Sequence, residues 1–124
     1  MVKYTISVDF DGTIVEYAFP EIGPLKPVVK ETLTKLAEKY TIVVSSCRAS
    51  QLFRKPNPEI VIPDQHPPGE RDFVQEMKDF LVREGIPHDR VDMGDEGKVV
   101  AVAYIDDRAY RYDNNWEEIC QKLL

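Results

Sequence analysis

The residues best suited to catalysis or metal binding are two aspartates near the amino terminus. Asp9 and Asp11 stand two residues apart, after an apolar run that favours a β-strand and before a Gly-Thr turn. Two carboxylates this close raise each other's pKa, so an arrangement without a counter-charge is costly. Because a hard dication such as Mg²⁺ prefers oxygen ligands, the pattern indicates a metal ion between acids at the end of a strand.

Further polar groups follow two later apolar runs. One run ends at the serine pair Ser45-Ser46, and the other ends at the acidic pair Asp106-Asp107. In an open parallel sheet the ligand site lies beyond the carboxyl ends of the strands. We therefore expect the early acids, the serine hydroxyls and the late acids to converge on one edge of a sheet.

This set of side chains could transfer a phosphoryl group to an aspartate. Such a reaction needs a dication to reduce the charge, donors for the phosphoryl oxygens, and an acid for the leaving group. Asp9, at the strand end, fits the nucleophile, and Asp11 can reach the leaving oxygen as general acid and base. The late acids fit metal ligation, while Ser46 and Lys98 could hold the phosphoryl oxygens.

Hydrophobic periodicity predicts the elements that must position these groups. Apolar, β-prone runs alternate with amphipathic helical stretches, a pattern typical of a parallel sheet with helices on both faces. The predicted strands cover residues 2–8, 41–45 and 99–105, with weaker candidates at 60–62 and 90–93; the predicted helices cover 28–40, 49–55, 71–84 and 114–124; loops cover 19–27 and the proline-rich stretch 56–69.

The amphipathic stretches also predict which side chains face the core. For the first two long helices these are Val29, Leu33, Leu36, Ala37 and Tyr40, then Phe73, Met77, Phe80, Leu81 and Glu84. The last helix, with Asp113 as its N-cap, is expected to turn inward Trp116, Ile119, Cys120 and Leu123.

Taken together, the chemical residues resemble the four motifs of haloacid dehalogenase (HAD) superfamily phosphatases. Asp9-Phe10-Asp11-Gly12-Thr13 is similar to the first motif, Val43-Val44-Ser45-Ser46 to the second, Lys98 to the lysine of the third, and Tyr104-Ile105-Asp106-Asp107 to the fourth. The four occur in the family's order. The resemblance implies a Rossmann-like three-layer α/β sandwich with a mostly parallel sheet.

The resemblance also implies roles for the acids. Asp9 would be the nucleophile that forms an aspartyl-phosphate, and Asp11 the general acid and base, with Lys98 assisting. Mg²⁺ would be held by the Asp9 carboxylate, the Asp11 main-chain carbonyl and the late acid pair, with Asp106 favoured over Asp107 as the direct ligand. Because family members that cleave carbon–halogen bonds lack the second acid, the presence of Asp11 favours phosphate ester hydrolysis.

The substrate phosphate is expected against the first-motif turn and the end of the second strand. The residues expected to bind it are Gly12, Thr13, Ser46, Cys47 and Lys98. Ser45 is the alternative to Ser46, because the register of the second motif allows either hydroxyl. Arg48 has two interpretations, a contact to the substrate phosphate and a surface salt bridge.

Bulk composition is that of one acidic domain. The chain has 124 residues, a net charge of −6 and a hydrophobic fraction of 43 %, which suit a single core over residues 1–124. The acidic balance disfavours binding to nucleic acid through its phosphates. We find no apolar run of membrane-spanning length and no signal-peptide pattern, and expect a cytoplasmic protein. Cys47 and Cys120 are expected to be reduced, a single long-range disulfide being the alternative.

The gaps between the motifs leave no room for an independent cap domain, so we expect an open site. An open site suits a large substrate, or a small one that a homo-oligomer encloses. We favour a phosphorylated small molecule over a macromolecule, with nucleic acid entering only as a phosphorylated end. No membrane partner is expected.

Two other function classes compete with a phosphatase. A phosphoacceptor signalling module also combines an aspartate, paired acids and a lysine, but it places the paired acids first in the chain. A non-catalytic HAD-like domain that binds phosphate or metal is the second alternative, and the intact pair Asp9 and Asp11 argues against it.

Overall fold

The structure, a computed structural model, describes residues 2–53, 59, 71–95 and 97–124. The strands are β1 (Tyr4–Val8), β2 (Tyr40–Val44), β3 (Arg90–Val91) and β4 (Ala103–Ile105), and the α-helices are α1 (Val29–Ala37), α2 (Phe73–Arg83) and α3 (Trp116–Leu123). The helix predicted over 49–55 is replaced, as far as residue 53, by two single 3₁₀ turns at Cys47–Ala49 and Gln51–Phe53. The minor strand predicted at 60–62 and all but residue 59 of the proline-rich stretch lie outside the described residues.

The four strands form one parallel sheet in the order β3-β2-β1-β4. β1 lies in its interior, with Val8 opposite both Val44 of β2 and Ile105 of β4. The residues that follow these three positions therefore emerge at the same edge. It is the edge at which the sequence predicted the polar groups to converge.

One face of the sheet carries the hydrophobic core. Its strand residues alternate along the pleat, as a period of two requires, and they pack in one cluster with buried side chains of α1 and α2. The cluster includes Ile6, Val8, Ile42, Val44, Leu33, Val74, Met77, Phe80 and Leu81. The connections from β1 to β2 and from β2 to β3 step in the same direction, so right-handed crossovers place α1 and α2 over the same face.

The opposite face of the sheet is covered in part by the segment that leads to β4. Ser7 and Val43 are buried and lie opposite each other in the ladder. Ser7 and Val99 line a common cavity, and Val99 is buried. The Tyr104 hydroxyl donates to the Val99 carbonyl, which anchors the segment to β4.

The α/β fold with a parallel sheet is confirmed, and among the described residues no separate cap domain is evident. The strand predicted over 99–105 is shorter, because only Ala103–Ile105 joins the ladder with β1. Val99 is buried while Val100 is 91 % exposed, so the apolar run there marks neither a continuous strand nor a continuously buried segment. None of the described helices has both the length and the hydrophobicity required to cross a bilayer.

The expectation for the last helix was wrong in two respects. None of the residues of α3 is buried in the described structure, and Trp116 and Leu123 are 69 % and 65 % exposed. The N-cap position belongs to Asn115 rather than Asp113, and its side chain makes no capping hydrogen bond. An amphipathic pattern specifies that a helix has an apolar face, but it does not specify which surface covers that face.

Substitutions in α2 and α3 should therefore differ in cost. Phe80→Ala, at a side chain that is 7 % exposed, should lower the free energy of unfolding by about 3–5 kcal/mol. Trp116→Ala should lower it by less than about 1 kcal/mol, because the ring is already largely in water. Urea denaturation of the two variants measures both values. A loss at Trp116 as large as that at Phe80 would contradict the exposed position of α3.

Candidate active site

Three aspartates from two neighbouring strands meet at the predicted edge. Asp9 follows β1, and Asp106 and Asp107 follow β4. One carboxylate oxygen from each lies within 4.8 Å of the others. The Asp9 amide donates to the Ile105 carbonyl at 2.9 Å, which extends the ladder by one step and sets these acids side by side. The convergence predicted from the strand ends is present in the structure.

The crowding of these carboxylates changes the ionisation of Asp9. Its pKa is raised from the usual 3.8 to about 7, first by burial of the carboxyl, then by the negative charge of Asp106 and a hydrogen bond with Asp107. Burial in a poor solvent and a like charge both disfavour the ionised form. A cation among the three acids would act in the opposite direction.

The turn after Asp9 allows the late acids to come close. Gly12 has a φ of +87°, and a Cβ atom at this position would overlap the Asp107 carboxylate. Only a glycine adopts this φ without strain and leaves that space open. The Gly12 amide donates to the Val15 carbonyl at 2.8 Å, and the Thr13 hydroxyl donates to the Asp9 carboxylate at 3.2 Å. The phosphate-binding roles of Gly12 and Thr13 stay predictions.

Asp11 does not join the acidic cluster but forms a buried ion pair. Its two oxygens accept from Nε and Nη2 of Arg48 at 2.8 and 2.9 Å. The Arg48 side chain is fully buried and that of Asp11 is 12 % exposed. A bidentate guanidinium–carboxylate pair of this kind has both oxygens occupied and a fixed orientation.

Arg48 is the site residue whose position sequence reasoning missed. Its remaining donors bind the carbonyls of Pro20 at 3.3 Å and Glu21 at 2.9 Å, and its guanidinium carbon lies 5.5 Å and 5.0 Å from the ring centres of Phe10 and Phe19. One of the two predictions for Arg48 was a salt bridge. Arg48 does form one, but in the interior of the protein rather than at the surface. The sequence feature that could have indicated this pair is the position of Arg48 shortly after the end of β2, at the same edge of the sheet as Asp11.

The predicted phosphate-binding residues beyond β2 divide between two cavities that both reach Asp9. Ser46 and Cys47 line a cavity of about 290 Å³, together with Asp9 and Asp11. Ser45 and Lys98 line another of about 190 Å³, together with Asp9 and Asp106. The Lys98 ammonium lies 4.4 Å from the centre of the Tyr104 ring.

Cys47 is a protonated thiol in this setting. Burial raises the pKa of the thiol, and the nearby charge of Asp9 raises it further. Because the thiolate is the reactive form, Cys47 is unsuited to nucleophilic attack here. Both cysteines are free, as predicted.

The donor set fits a hard divalent cation. Three carboxylates within reach of one point supply the oxygen ligands that Mg²⁺ prefers. The glycine at position 12 leaves room for the Asp107 carboxylate beside Asp9. Without a cation, the like charges of the carboxylates repel one another. The arrangement can hold a metal ion beside a carboxylate that points into a cavity.

Metal-free protein should lose stability as the pH rises. The folded state holds a proton on Asp9 up to about pH 7, whereas the unfolded chain releases it near 3.8. Unfolding therefore becomes easier between about pH 4 and about pH 7, with no further change above. Asp9→Asn, which cannot ionise, should raise the melting temperature in EDTA, and the gain should grow across this window.

Asp79→Asn, which removes an exposed carboxylate of α2, is the control for the loss of one charge. Scanning calorimetry of the three proteins at several pH values makes the measurement. A difference between Asp9→Asn and wild type that does not vary with pH would contradict the electrostatic account of the cluster.

Loss of the Arg48 guanidinium should be strongly destabilising. Arg48→Met keeps an apolar stem but leaves the Asp11 carboxylate and two carbonyls without their donor, and we expect a loss of about 3–5 kcal/mol in the free energy of unfolding. Arg71→Met is the matched control, because Arg71 also lies over a phenylalanine ring and pairs with two glutamates, but at the surface. Arg71→Met should lower the free energy of unfolding far less than Arg48→Met. Equal losses in the two variants would contradict a buried Arg48–Asp11 pair.

Comparison with known proteins gives a structural likeness without a function. The chain is similar to the solved structure of a conserved protein from Bacteroides thetaiotaomicron, with 26 % sequence identity and a TM-score of 0.61. The match covers 98 % of this chain and 90 % of that chain. No family model matches the sequence, and no curated protein does. The likeness supports the α/β fold, while the chemistry rests on the site itself.

Proposed function

We propose that this protein is a Mg²⁺-dependent phosphatase that hydrolyses a phosphomonoester through an aspartyl-phosphate on Asp9. The observation that carries the proposal is the cluster of Asp9, Asp106 and Asp107, whose oxygens lie within 4.8 Å of one another at the end of an interior strand. Asp9 also borders a cavity large enough for a phosphate group. A carboxylate next to both a cation site and a cavity suits nucleophilic attack on an anionic ester.

The carboxylates of Asp9, Asp106 and Asp107 would hold the metal ion. When bound, Mg²⁺ would neutralise their charge and polarise a phosphoryl oxygen, so that one anion can approach another. The resemblance to HAD phosphatases adds the main-chain carbonyl of Asp11 as a ligand and favours Asp106 over Asp107. Asp106 also accepts from the Arg108 amide at 2.8 Å, which orients its side chain.

Asp9 performs the bond-making step. Its carboxylate oxygen bonds to phosphorus while the ester P–O bond breaks and the leaving oxygen takes up a proton. Water then attacks the phosphorus, the bond to Asp9 breaks, and inorganic phosphate is released with the carboxylate restored. The Thr13 hydroxyl, which donates to Asp9 at 3.2 Å, holds the nucleophile in orientation.

Asp11 supplies the proton to the leaving oxygen and later takes one from water. In the structure both of its oxygens accept from Arg48. The bidentate pair leaves a second lone pair on each oxygen, which can carry the proton for the ester. Arg48 fixes the carboxyl in one orientation, and it thereby sets the direction in which Asp11 can transfer a proton.

Lys98 and Ser46 hold the phosphoryl group in this proposal. Lys98 lines a cavity with Asp9 and Asp106, where its positive charge reduces the repulsion between the acids and the substrate. Ser46 lines the neighbouring cavity. Its oxygen accepts from the Arg48 amide at 3.1 Å, which leaves the hydroxyl proton able to point towards a phosphate oxygen.

Turnover of p-nitrophenyl phosphate tests the proposal. The wild-type protein should release p-nitrophenol with Mg²⁺ and stop when EDTA is added. Asp9→Asn should lower kcat by a factor on the order of 10⁴ or more, because a neutral amide oxygen is a poor nucleophile towards phosphorus. Asp79→Asn, on the surface of α2, should leave kcat unchanged.

The competing function is a non-catalytic domain that binds metal and phosphate. The observation in its favour is the Arg48–Asp11 pair, since it occupies both oxygens of the proposed acid. This function predicts that Mg²⁺ raises the melting temperature but that no phosphate ester is turned over. Hydrolysis that Asp9→Asn retains would rule out the nucleophilic role of Asp9.

A further inference from the structure

The cavity next to Asp9 has an apolar wall that the phosphate does not need. The cavity holds about 290 Å³, with Asp9 and Asp106 bordering it. Other parts of its lining are Tyr17, Phe19, Leu52 and Phe53. A phosphoryl group is small and polar, so these side chains would face the leaving group of the ester.

The apolar wall is held in place by its own packing. The ring centres of Phe19 and Phe53 are 5.3 Å apart, and each contacts Phe73 of α2, at 5.1 and 5.6 Å. Phe53 is only 7 % exposed, while Leu52 and Phe19 are half-buried. Three rings in mutual contact keep fixed positions, so the wall is preformed rather than created by the ligand.

Part of the polar lining of the same cavity already has partners. Arg48 donates to Asp11 and to two carbonyls, and the oxygens of Ser46 and Ser50 accept from the amides of Arg48 and Leu52. A leaving group with many hydroxyls would lose its water against Phe19, Leu52 and Phe53, whose side chains offer no hydrogen bonds in exchange, and this is costly. An apolar leaving group has no such cost.

The size of the cavity suits a ligand with one ring. A volume of about 290 Å³ lies at the lower end of the range of small-molecule sites, roughly 300–1,000 Å³. A phosphoryl group and a single six-membered ring match this space better than a dinucleotide or a chain of sugars.

We propose that the substrate is a phosphate monoester whose alcohol carries one flat apolar ring, bound against Phe19, Leu52 and Phe53 beside Asp9. This inference rests on the proposed phosphatase function and names the class of its leaving group. Tyr17 lines the same cavity, and the Arg108 guanidinium lies 4.8 Å from its ring centre.

Benzyl phosphate and glycerol 1-phosphate test this specificity, because both release a primary alcohol, one with an apolar ring and the other with two further hydroxyls. With Mg²⁺, kcat/KM should be on the order of tenfold to a hundredfold higher for benzyl phosphate. Leu52→Gln should lower this ratio towards one. Val82→Gln is the matched control, since Val82 is 74 % exposed on α2, and it should leave the ratio unchanged.

The two proposals fail in different ways. Hydrolysis of p-nitrophenyl phosphate together with equal kcat/KM for the two alkyl esters would overturn the ring proposal and leave the phosphatase standing. If no ester is hydrolysed, the phosphatase fails, and binding of benzylphosphonate, whose P–C bond resists hydrolysis, decides the role of the cavity. Calorimetry should then show that benzylphosphonate binds about tenfold more tightly than methylphosphonate, and that Leu52→Gln removes this difference. Equal binding of the two ligands to the wild-type protein would overturn the role of the apolar wall.

Discussion

The register between β1 and β4 is the constraint on which the site depends. Val8 lies opposite Ile105, and the hydrogen bond from the Asp9 amide to the Ile105 carbonyl continues that register by one residue. Because side chains alternate along a strand, a slip of one residue would turn Asp106 to the other face and separate it from Asp9. The same register buries the Asp9 carboxyl and brings like charges together, and both effects, burial first, raise its pKa. Hydrophobic burial of Val8 in the core holds the strand in place against that repulsion.

A second constraint acts through Arg48. Its buried guanidinium joins the first turn, at Asp11, to the loop carbonyls of Pro20 and Glu21. A charge so far from water is tolerated only because each donor has a partner. The resulting network fixes the loop that carries Phe19 and so shapes the cavity beside Asp9. The same contacts of Arg48 that stabilise the loop therefore also restrict the orientation of the Asp11 carboxylate.

The carboxyl-terminal quarter of the chain differs from the rest in its exposure. β4 contacts the sheet through β1, yet all three of its residues are exposed, and Tyr104 and Ile105 are 46 % and 41 % exposed. Trp116, the first residue of α3, and Tyr112, which precedes the helix, have ring centres 5.3 Å apart, and both rings lie outside the core as well. The acidic pair at the end of β4 is thus held mainly by its ladder with β1, rather than by packing from both sides.

Local patterns in the amino-acid sequence were enough to predict the alternation of strands and helices, the parallel sheet and three of the four acids expected to meet at its edge. These follow from local patterns, since periodicity marks buried faces and parallel strands bring their carboxyl ends together. The sequence also predicted that α2 would bury Phe73, Met77, Phe80 and Leu81. A helical face of that kind can be recognised without knowing its partner.

The partners of each polar group and each apolar face depend on the folded chain. The same amphipathic pattern buries one side of α2 and leaves α3 exposed, because the covering surface comes from elsewhere in the chain. Asp11 turned from the acidic cluster to Arg48, a partner 37 residues away in sequence, and no local pattern encodes such a pair. Spacing can predict that charges will gather at a strand end, but which of them pair, and which stay in conflict, depends on distances that exist only after folding.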